Sequence, residues 1–439
     1  MSFLRCIKAL LPDRHPVRLF WHQLKALAAA MRYGFPARKL QIIGITGTDG
    51  KTTTVSMTAH ILHHAGIKVG AVSTSFFQIG AEIQPNPTHK TSLAPSALQS
   101  FLRKCVNAGC TTVIVECSSH GLVQHRNDFL WPKIAAITNI SPEHLDYHGT
   151  MEQYKKDKAI LFHMLRAGGI SVLNADDETY EAYREIPAHA RIAWSSSRAF
   201  ASSMDDRESA FWATDIDEQM GGLTATMHSN ANDDVWNLRL MIPGRFNLEN
   251  ALCAISCAHV AGIPVDVAVT ALTSFSGVPG RMERIDEGQP FSVYVDFTVT
   301  PNAYEKTLSA IRATLEPGAR LLVLTGSCGN RMREKRPMIG EIVSRLADVV
   351  VVSEDETVTE DQHKVIEEVW AGIDQSKIEA HKIFDRREGI RFLFGAAQAG
   401  DAVALCGMGA CQTMQTINGL RPWDEREIAR EELRNLKNS

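Results

Sequence analysis

The chain has 439 residues, 44% hydrophobic and 22% charged, with a formal net charge of −4. That is apolar sequence enough for two or three cores and too little polar bias for a disordered chain, and the charge carries no nucleic-acid signature. The nine cysteines form no Cys-x-x-Cys pair, which argues against a disulfide framework or zinc ribbon and predicts reduced, mostly buried thiols. No stretch reaches the roughly eighteen apolar residues of a spanning helix, and the N-terminus lacks a secretory-signal pattern, so a multidomain cytoplasmic protein is expected.

In chain order, Val17, Phe20, Trp21, Leu24, Leu27, Ala28 and Met31 recur at three- and four-residue intervals, and the segment through Lys39 carries eight Lys/Arg against one Asp. Residues 1–40 therefore read as a short basic amphipathic helical segment, its apolar face docked on the main body. The other reading is a helix that touches a membrane surface or an anionic ligand. Next come a strand "LQIIGI", a turn "TGTDGK", a helix "TTTVSMTAHILHHAG" and a second strand "KVGAVST", which together make a βαβ unit. Gly47 and Gly50 let the backbone approach an anion, the turn and the helix N-terminus aim N–H groups at it, and Lys51 adds positive charge. The anion is most simply a nucleotide phosphate, with the Thr52 hydroxyl next to its magnesium. The turn is a short G-T-x-G-K-T form, because Ile45 stands where the longer phosphate-loop pattern has glycine. Further on, "TTVIVECSSHGLVQHR" is a buried strand delivering Glu116, and "AAITNISPEHLDYHGTMEQYKKDKAILF" is another delivering His144 and then a lysine-rich helix. Ligands of open parallel sheets bind at the carboxyl ends of the strands, where these residues would lie.

These stretches, with "NADD" at 174–177, "GRFNLENALCAI" at 244–255, "GVPGRMERI" at 277–285 and "KRPMIG" at 335–340, resemble the Mur ligase family in its order, most nearly its MurE type. The resemblance implies an ATP- and Mg²⁺-dependent amide ligase of peptidoglycan synthesis. It joins an amino acid to the carboxylate of a muramoyl-peptide, UDP-linked in the family, by way of an acyl phosphate. It implies that Gly47, Thr48, Gly50, Lys51, Thr52 and Thr53 hold the phosphates, that Thr52 and Glu116 hold one magnesium, and that His144 holds a second. Lys158, fourteen residues after His144, matches a lysine that the family carbamylates and uses beside the metals; a solvated basic face with Lys155 and Lys156 is the alternative. By the same resemblance Asn247 and Asn250 hold the adenine region, helix capping being the alternative. Arg281 and Asp296 meet ATP or its metal, Thr91, Ser92, Ser118 and Arg126 meet the muramoyl-peptide, and Asp355 and Glu356 fall in the amino-acid-selecting motif.

The departures from the pattern bear on substrate. Some forty residues precede the phosphate loop where the family has a uridine-gripping domain of about a hundred. "DETV" at 355–358 stands for Asp-Asn-Pro-Arg, so Val358 replaces the arginine that would pair with a distal carboxylate. "GMGAC" at 407–411 stands for Gly-Lys-Gly-His-Glu, Val299 replaces a histidine, and Asp49 replaces an asparagine. A non-UDP acceptor, or a nucleotide-binding protein without ligation, are the alternatives these changes raise.

The expected fold is α/β: a central P-loop ATPase domain with a parallel-rich sheet at 41–288 and a C-terminal Rossmann-like domain at 289–439, preceded by the helical segment. Residues 286–290 read as the linker, the tail from Asp424 as a solvated helix, and ATP is expected between the two domains. A monomer is expected.

Overall fold

The computed structural model describes residues 12–86, 88, 90–197, 209–219, 222–231 and 234–438; Cys6 and the start of the basic segment lie outside them. The chain forms two units. The first comprises Met1–Ile216, Thr224–Leu240 and Asn247–Phe275, and the second Asp217–Leu223, Met241–Phe246 and Ser276–Ser439.

The first unit is organised by an eleven-stranded sheet, in the spatial order Val235–Leu240, Gly222–Ser229, Ser209–Gln219, Ala190–Ser195, Ile170–Asn174, Ile134–Ile137, Gln41–Thr46, Thr112–Glu116, Val69–Val72, Phe76–Ile79 and Glu82–Pro85. Its middle is parallel: Gln41–Thr46 lies between Thr112–Glu116 and Ile134–Ile137 and runs in register with both. These three strands are almost wholly buried, as expected of apolar runs covered by helices on both faces. Their carboxyl ends lie on one edge, so the residues that follow them are neighbours by topology. The Phe76–Ile79 and Glu82–Pro85 strands extend the sheet as an antiparallel meander. Helix starts follow local chemistry: Ser118 and Thr150 accept hydrogen bonds from Gly121 N and Gln153 N, satisfying N–H groups that have no intrahelical partner.

The Pro16–Arg32 helix packs on the Pro95–Asn107 helix, but not by the face its pattern suggests. Ala26, Ala29 and Ala30 are buried, whereas Val17, Phe20, Trp21, Leu24 and Met31 are exposed. Small side chains permit close helix approach, and Arg103 fixes the end by donating from Nε to the Tyr33 carbonyl at 2.9 Å.

The second unit carries a six-stranded sheet in the order Glu283–Ile285, Ser292–Asp296, Ala402–Cys406, Leu321–Thr325, Val349–Val352 and Glu379–Lys382. It is parallel except for the first strand, with an apolar core on each face, the doubly wound arrangement expected. Residues 286–290 are not a linker: they turn an antiparallel hairpin between Glu283–Ile285 and Ser292–Asp296, and the units divide at 275/276. Nor is the C-terminal tail simply solvated. The Glu425–Asn438 helix buries Ala429 and Leu433 and sets Glu425 into a fully buried pair with Arg386, whose Nη2 is 2.6 Å from Glu425 Oε1. The eight described cysteines are free, seven of them buried. Among the described residues no helix is long and apolar enough to cross a membrane.

Candidate active site

The turn after Gln41–Thr46 is held by backbone. Thr48 N donates to the Asn139 carbonyl at 2.8 Å, Asp49 N to Asn139 Oδ1 at 3.0 Å, and Thr138 Oγ1 to the Asp49 carbonyl at 2.6 Å. The Thr48 hydroxyl lies 3.2 Å from both the Ser141 carbonyl and Tyr154 OH. Two glycines are required by geometry. A Cβ on Gly47 (φ +148°) would fall 1.9 Å from Thr138 Oγ1, and one on Gly50 (φ +80°) 2.1 Å from Asn250 Oδ1; both φ values lie where side chains are disfavoured. Gly50 is the N-cap of the Lys51–His64 helix, whose N-terminus presents N–H groups to an anion. Lys51 Nζ donates to the Thr48 carbonyl at 2.6 Å, and Thr53 is buried in the first helical turn.

Glu116 ends the neighbouring strand and is 2% exposed. It has no ion-pair partner among the described residues. Its oxygens take hydrogen bonds from neutral groups: Thr52 Oγ1 at 3.1 and 3.0 Å, Thr74 N at 2.7 Å and Thr74 Oγ1 at 3.0 Å. Burying a carboxylate without a counter-charge is costly, and the cluster of carboxylate and hydroxyl oxygens is the hard donor set that suits magnesium. The sequence reading missed Thr74. Its place just past the end of the Val69–Val72 strand, beside Thr112–Glu116, was the available signal.

His144 follows the third parallel strand, adopts φ +55° and caps the Leu145–His148 helix. Its Nε2 is 3.4 Å from Glu143 Oε1, and its ring meets His120 edge-on at 4.7 Å. His148, whose N donates to the His144 carbonyl at 3.0 Å, belongs to a line of contacts that the sequence did not signal. Ser119 Oγ lies 3.0 Å from His148 Nε2, His148 Nδ1 2.5 Å from Asp157 Oδ2, and Arg14 Nη2 donates to Asp157 Oδ1 at 2.9 Å. Although burial opposes it, hydrogen bonds from His148, Arg14 and Gln153 hold the Asp157 carboxyl down at about 2.

Lys158 is not on a solvated basic face. It is 2% exposed, donates from Nζ to the Gly47 carbonyl at 2.5 Å and lies 4.6 Å from the Tyr154 ring centre. Lys155, by contrast, reaches Glu178 at 2.8 Å, and Lys156 is exposed. Burial, then repulsion from Lys51, pushes the Lys158 ammonium well below the usual lysine range, favouring the neutral amine.

Neither Asn247 nor Asn250 caps its helix, which begins at Arg245. Both are buried: Asn250 Nδ2 donates to Asn247 Oδ1 at 3.3 Å, and Thr54 Oγ1 to Asn250 Oδ1 at 3.3 Å. Beside Glu116, Thr91 Oγ1 is 2.9 Å from Thr74 Oγ1. Ser92 Oγ accepts from Ser118 N and Ser118 Oγ, each at 3.0 Å. Arg126 donates to the Ser92 carbonyl at 3.1 Å and to Gln124 Oε1 at 2.6 Å. Burial lowers its pKa, and it has no carboxylate partner among the described residues. Thus Thr52, Thr91, Ser92, Ser118 and Arg126 form one connected patch around Glu116.

In the second unit, Arg281 donates from Nη1 to the Phe297 carbonyl at 3.1 Å, and Asp296 Oδ2 accepts from Met282 N at 2.7 Å. Asp355, 2% exposed, accepts from Glu356 N at 2.6 Å. Burial, then the Asp355 charge, raises the Glu356 carboxyl. Gly407 (φ +121°) lies so close that a Cβ there would be 2.3 Å from Asp355 Oδ2.

Comparison with known proteins agrees with this layout. Residues 45–258 match the Mur ligase middle domain and residues 280–409 the domain described as "Mur ligase, glutamate ligase domain". A UDP-N-acetylmuramyl-tripeptide synthetase of Roseiflexus sp. (strain RS-1) is 37% identical over 432 residues, covering 94% of this chain and 82% of that protein. A UDP-N-acetylmuramoyl-L-alanyl-D-glutamate–2,6-diaminopimelate ligase of Trichormus variabilis is 36% identical over 408 residues, covering 92% and 79%. A solved structure of a ligase with that same name superposes with a TM-score of 0.63 at 29% identity, covering 91% of this chain and 79% of the other. A phosphate-loop α/β unit followed by a Rossmann-like unit, each matching a Mur ligase domain, places the chain in the class of ATP-dependent ligases. The chain belongs to the Mur ligase family, the ATP-dependent acid–amino-acid ligases of peptidoglycan synthesis, and is MurE-like within it. Members of the family use ATP, typically with Mg²⁺.

Proposed function

We propose that the protein adds one amino acid to the carboxylate of a muramoyl-peptide, UDP-linked as the relatives' names describe, with ATP as the activating substrate. An acceptor carboxylate oxygen attacks the γ-phosphorus, the bond to the ADP oxygen breaks, and an acyl phosphate forms. The amino acid's neutral amine then attacks the carbonyl carbon through a tetrahedral intermediate, phosphate leaves, and the amine proton is lost. The observation that carries this reading is the buried Glu116 carboxylate, satisfied only by neutral donors, one hydroxyl away from a turn built for phosphate.

In this reading Gly47, Thr48, Gly50, Lys51, Thr52 and Thr53 cradle the phosphates, and Lys51 exchanges the Thr48 carbonyl for the β- and γ-phosphates. Thr52 and Glu116 would hold one magnesium and His144 a second; bound there, the metals neutralise charge as two anions meet. Lys158, held as a neutral amine, takes up carbon dioxide to give a carbamate and a released proton, which places an anion where an ordinary lysine would place a cation. Asn247 and Asn250 serve the adenine region, Arg281 and Asp296 the nucleotide or its metal. Thr91, Ser92, Ser118 and Arg126 serve the acceptor, and Asp355 and Glu356 the incoming amino acid. A monomer suffices for this chemistry, and ATP consumption fits the cytoplasmic location expected from sequence.

Val358 offers no cation to a distal carboxylate, which favours an amino acid other than diaminopimelate. The test is phosphate release from MgATP and UDP-N-acetylmuramoyl-dipeptide with a mixed amino-acid pool, products weighed by mass spectrometry. A new amide whose mass names the amino acid is expected. ATP binding without turnover on this acceptor would contradict it and favour a peptide on another carrier.

A further inference from the structure

The Pro16–Arg32 helix turns its bulky apolar residues outward. Val17, Phe20, Trp21, Leu24 and Met31 are 61, 60, 44, 40 and 57% exposed. At 3.6 residues per turn they fall within one stripe about a third of the helix circumference wide, opposite the buried Ala26, Ala29 and Ala30 that dock the helix. Arg18, Lys25 and Arg32 recur at seven-residue intervals and line one flank of that stripe. The helix itself contains no Asp or Glu. Arg18 shares its charge with Asp13 at 2.6 Å, and Lys25 Nζ lies over the Trp21 ring at 5.5 Å. A monomer rarely leaves so many large apolar side chains together in water. A stripe carrying Trp and Phe, edged by cations and free of acids, is the composition of a helix that lies in a lipid interface.

We propose that this helix is a membrane-surface anchor, lying along an anionic phospholipid bilayer with Phe20, Trp21 and Leu24 in the acyl boundary and Arg18, Lys25 and Arg32 at the headgroups. Charge complementarity selects this occupant: eight Lys/Arg against one Asp before residue 40, on a chain whose net charge is −4, make the segment the locally basic part of an acidic protein. The anchoring goes beyond the ligase activity and does not rest on it.

The test is co-sedimentation of the full chain with vesicles of phosphatidylcholine containing phosphatidylglycerol, against phosphatidylcholine alone. Binding that needs the anionic lipid and weakens with salt is expected. Phe20→Ser/Trp21→Ser/Leu24→Ser should lower the bound fraction about tenfold or more, while its thermal melt and ATP turnover match the parent. Arg18→Gln/Lys25→Gln/Arg32→Gln, which leaves the apolar stripe intact, should remove the salt dependence. No binding above the neutral vesicles, or binding that the triple serine variant retains, overturns the proposal. A dimer that the serine variant dissolves, without vesicle binding, also overturns it and assigns the stripe to a contact between copies.

Discussion

The turn at 46–51 and the loop at 355–358 each follow the carboxyl end of a parallel strand, yet they are specified differently. The first is fixed by backbone: two glycines that cannot take a Cβ and carbonyls bound by Thr138, Lys51 and Lys158. The second is also held by backbone, Val358 N donating to the Gln415 carbonyl at 3.0 Å and Gly329 N to the Glu356 carbonyl at 2.8 Å, but what it presents is side chains: two neighbouring carboxylates, with valine where the family pattern has arginine. A phosphate is bound by N–H groups and one cation, so the chain's freedom there is small. If, as proposed, the second loop meets the incoming amino acid, its side chains do the choosing, and exchange of one residue there should change the substrate and leave the fold alone.

Substitutions can break or sharpen this contrast. The largest effects belong to the phosphate side. Lys51→Ala should lower turnover about a thousandfold or more, because a charge acting on the transferred phosphoryl group is lost. Lys158→Ala should cost about a hundredfold, partly restored by acetate, with Lys155→Ala near the parent level; steady-state phosphate release reads all three. A Lys158→Ala enzyme at full activity would remove the carbamate. Next is backbone. Gly50→Ala should destabilise by about 2–3 kcal/mol in chemical denaturation, since its Cβ meets Asn250 Oδ1 at 2.1 Å, whereas Gly262→Ala, at φ +97° with nothing within 4 Å, should lose only about 1 kcal/mol. On the selective side, Val358→Arg should leave the fold intact and raise kcat/KM for amino acids with a second carboxylate about tenfold over those without.

The smallest effect lies in the Arg14–Asp157–His148 contacts. The Asp157 carboxyl is held at about 2 against an ordinary 3.8, so its contribution is present above pH 3.8 and is lost as pH falls toward 2. Relative to Asp157→Asn, the parent should be more stable by on the order of 1–2 kcal/mol at pH 6. The difference should fall steeply toward pH 2 and vanish below it, measured by denaturant titration across that range.

Much of the first unit was legible because residue type and geometry coincide there. Gly47, Gly50 and Lys51 announce a phosphate turn, and unbroken apolar runs announce parallel strands whose carboxyl ends gather Thr52, Glu116 and His144 on one edge. What escaped depends on contacts between distant segments. Thr74 completes the Glu116 cluster from another strand, Asn139 holds the turn from a third, and Arg14 reaches Asp157 across more than a hundred residues. Periodicity grouped Phe20, Trp21 and Leu24 on one face correctly but could not say that alanines on the other face would do the docking. The hairpin at 286–290 looked like a linker because a polar glycine turn and an interdomain link share a composition.

The acyl phosphate is tested most directly by the fate of one oxygen. With both carboxylate oxygens of the acceptor's reacting carboxyl group labelled with ¹⁸O, turnover through an acyl phosphate must transfer one ¹⁸O to each phosphate released, because the bridging oxygen leaves with phosphorus when the amine attacks. The predicted result is singly labelled phosphate in step with amide formation. Amide formed with unlabelled phosphate, or phosphate released from the labelled acceptor without any transfer, would contradict it.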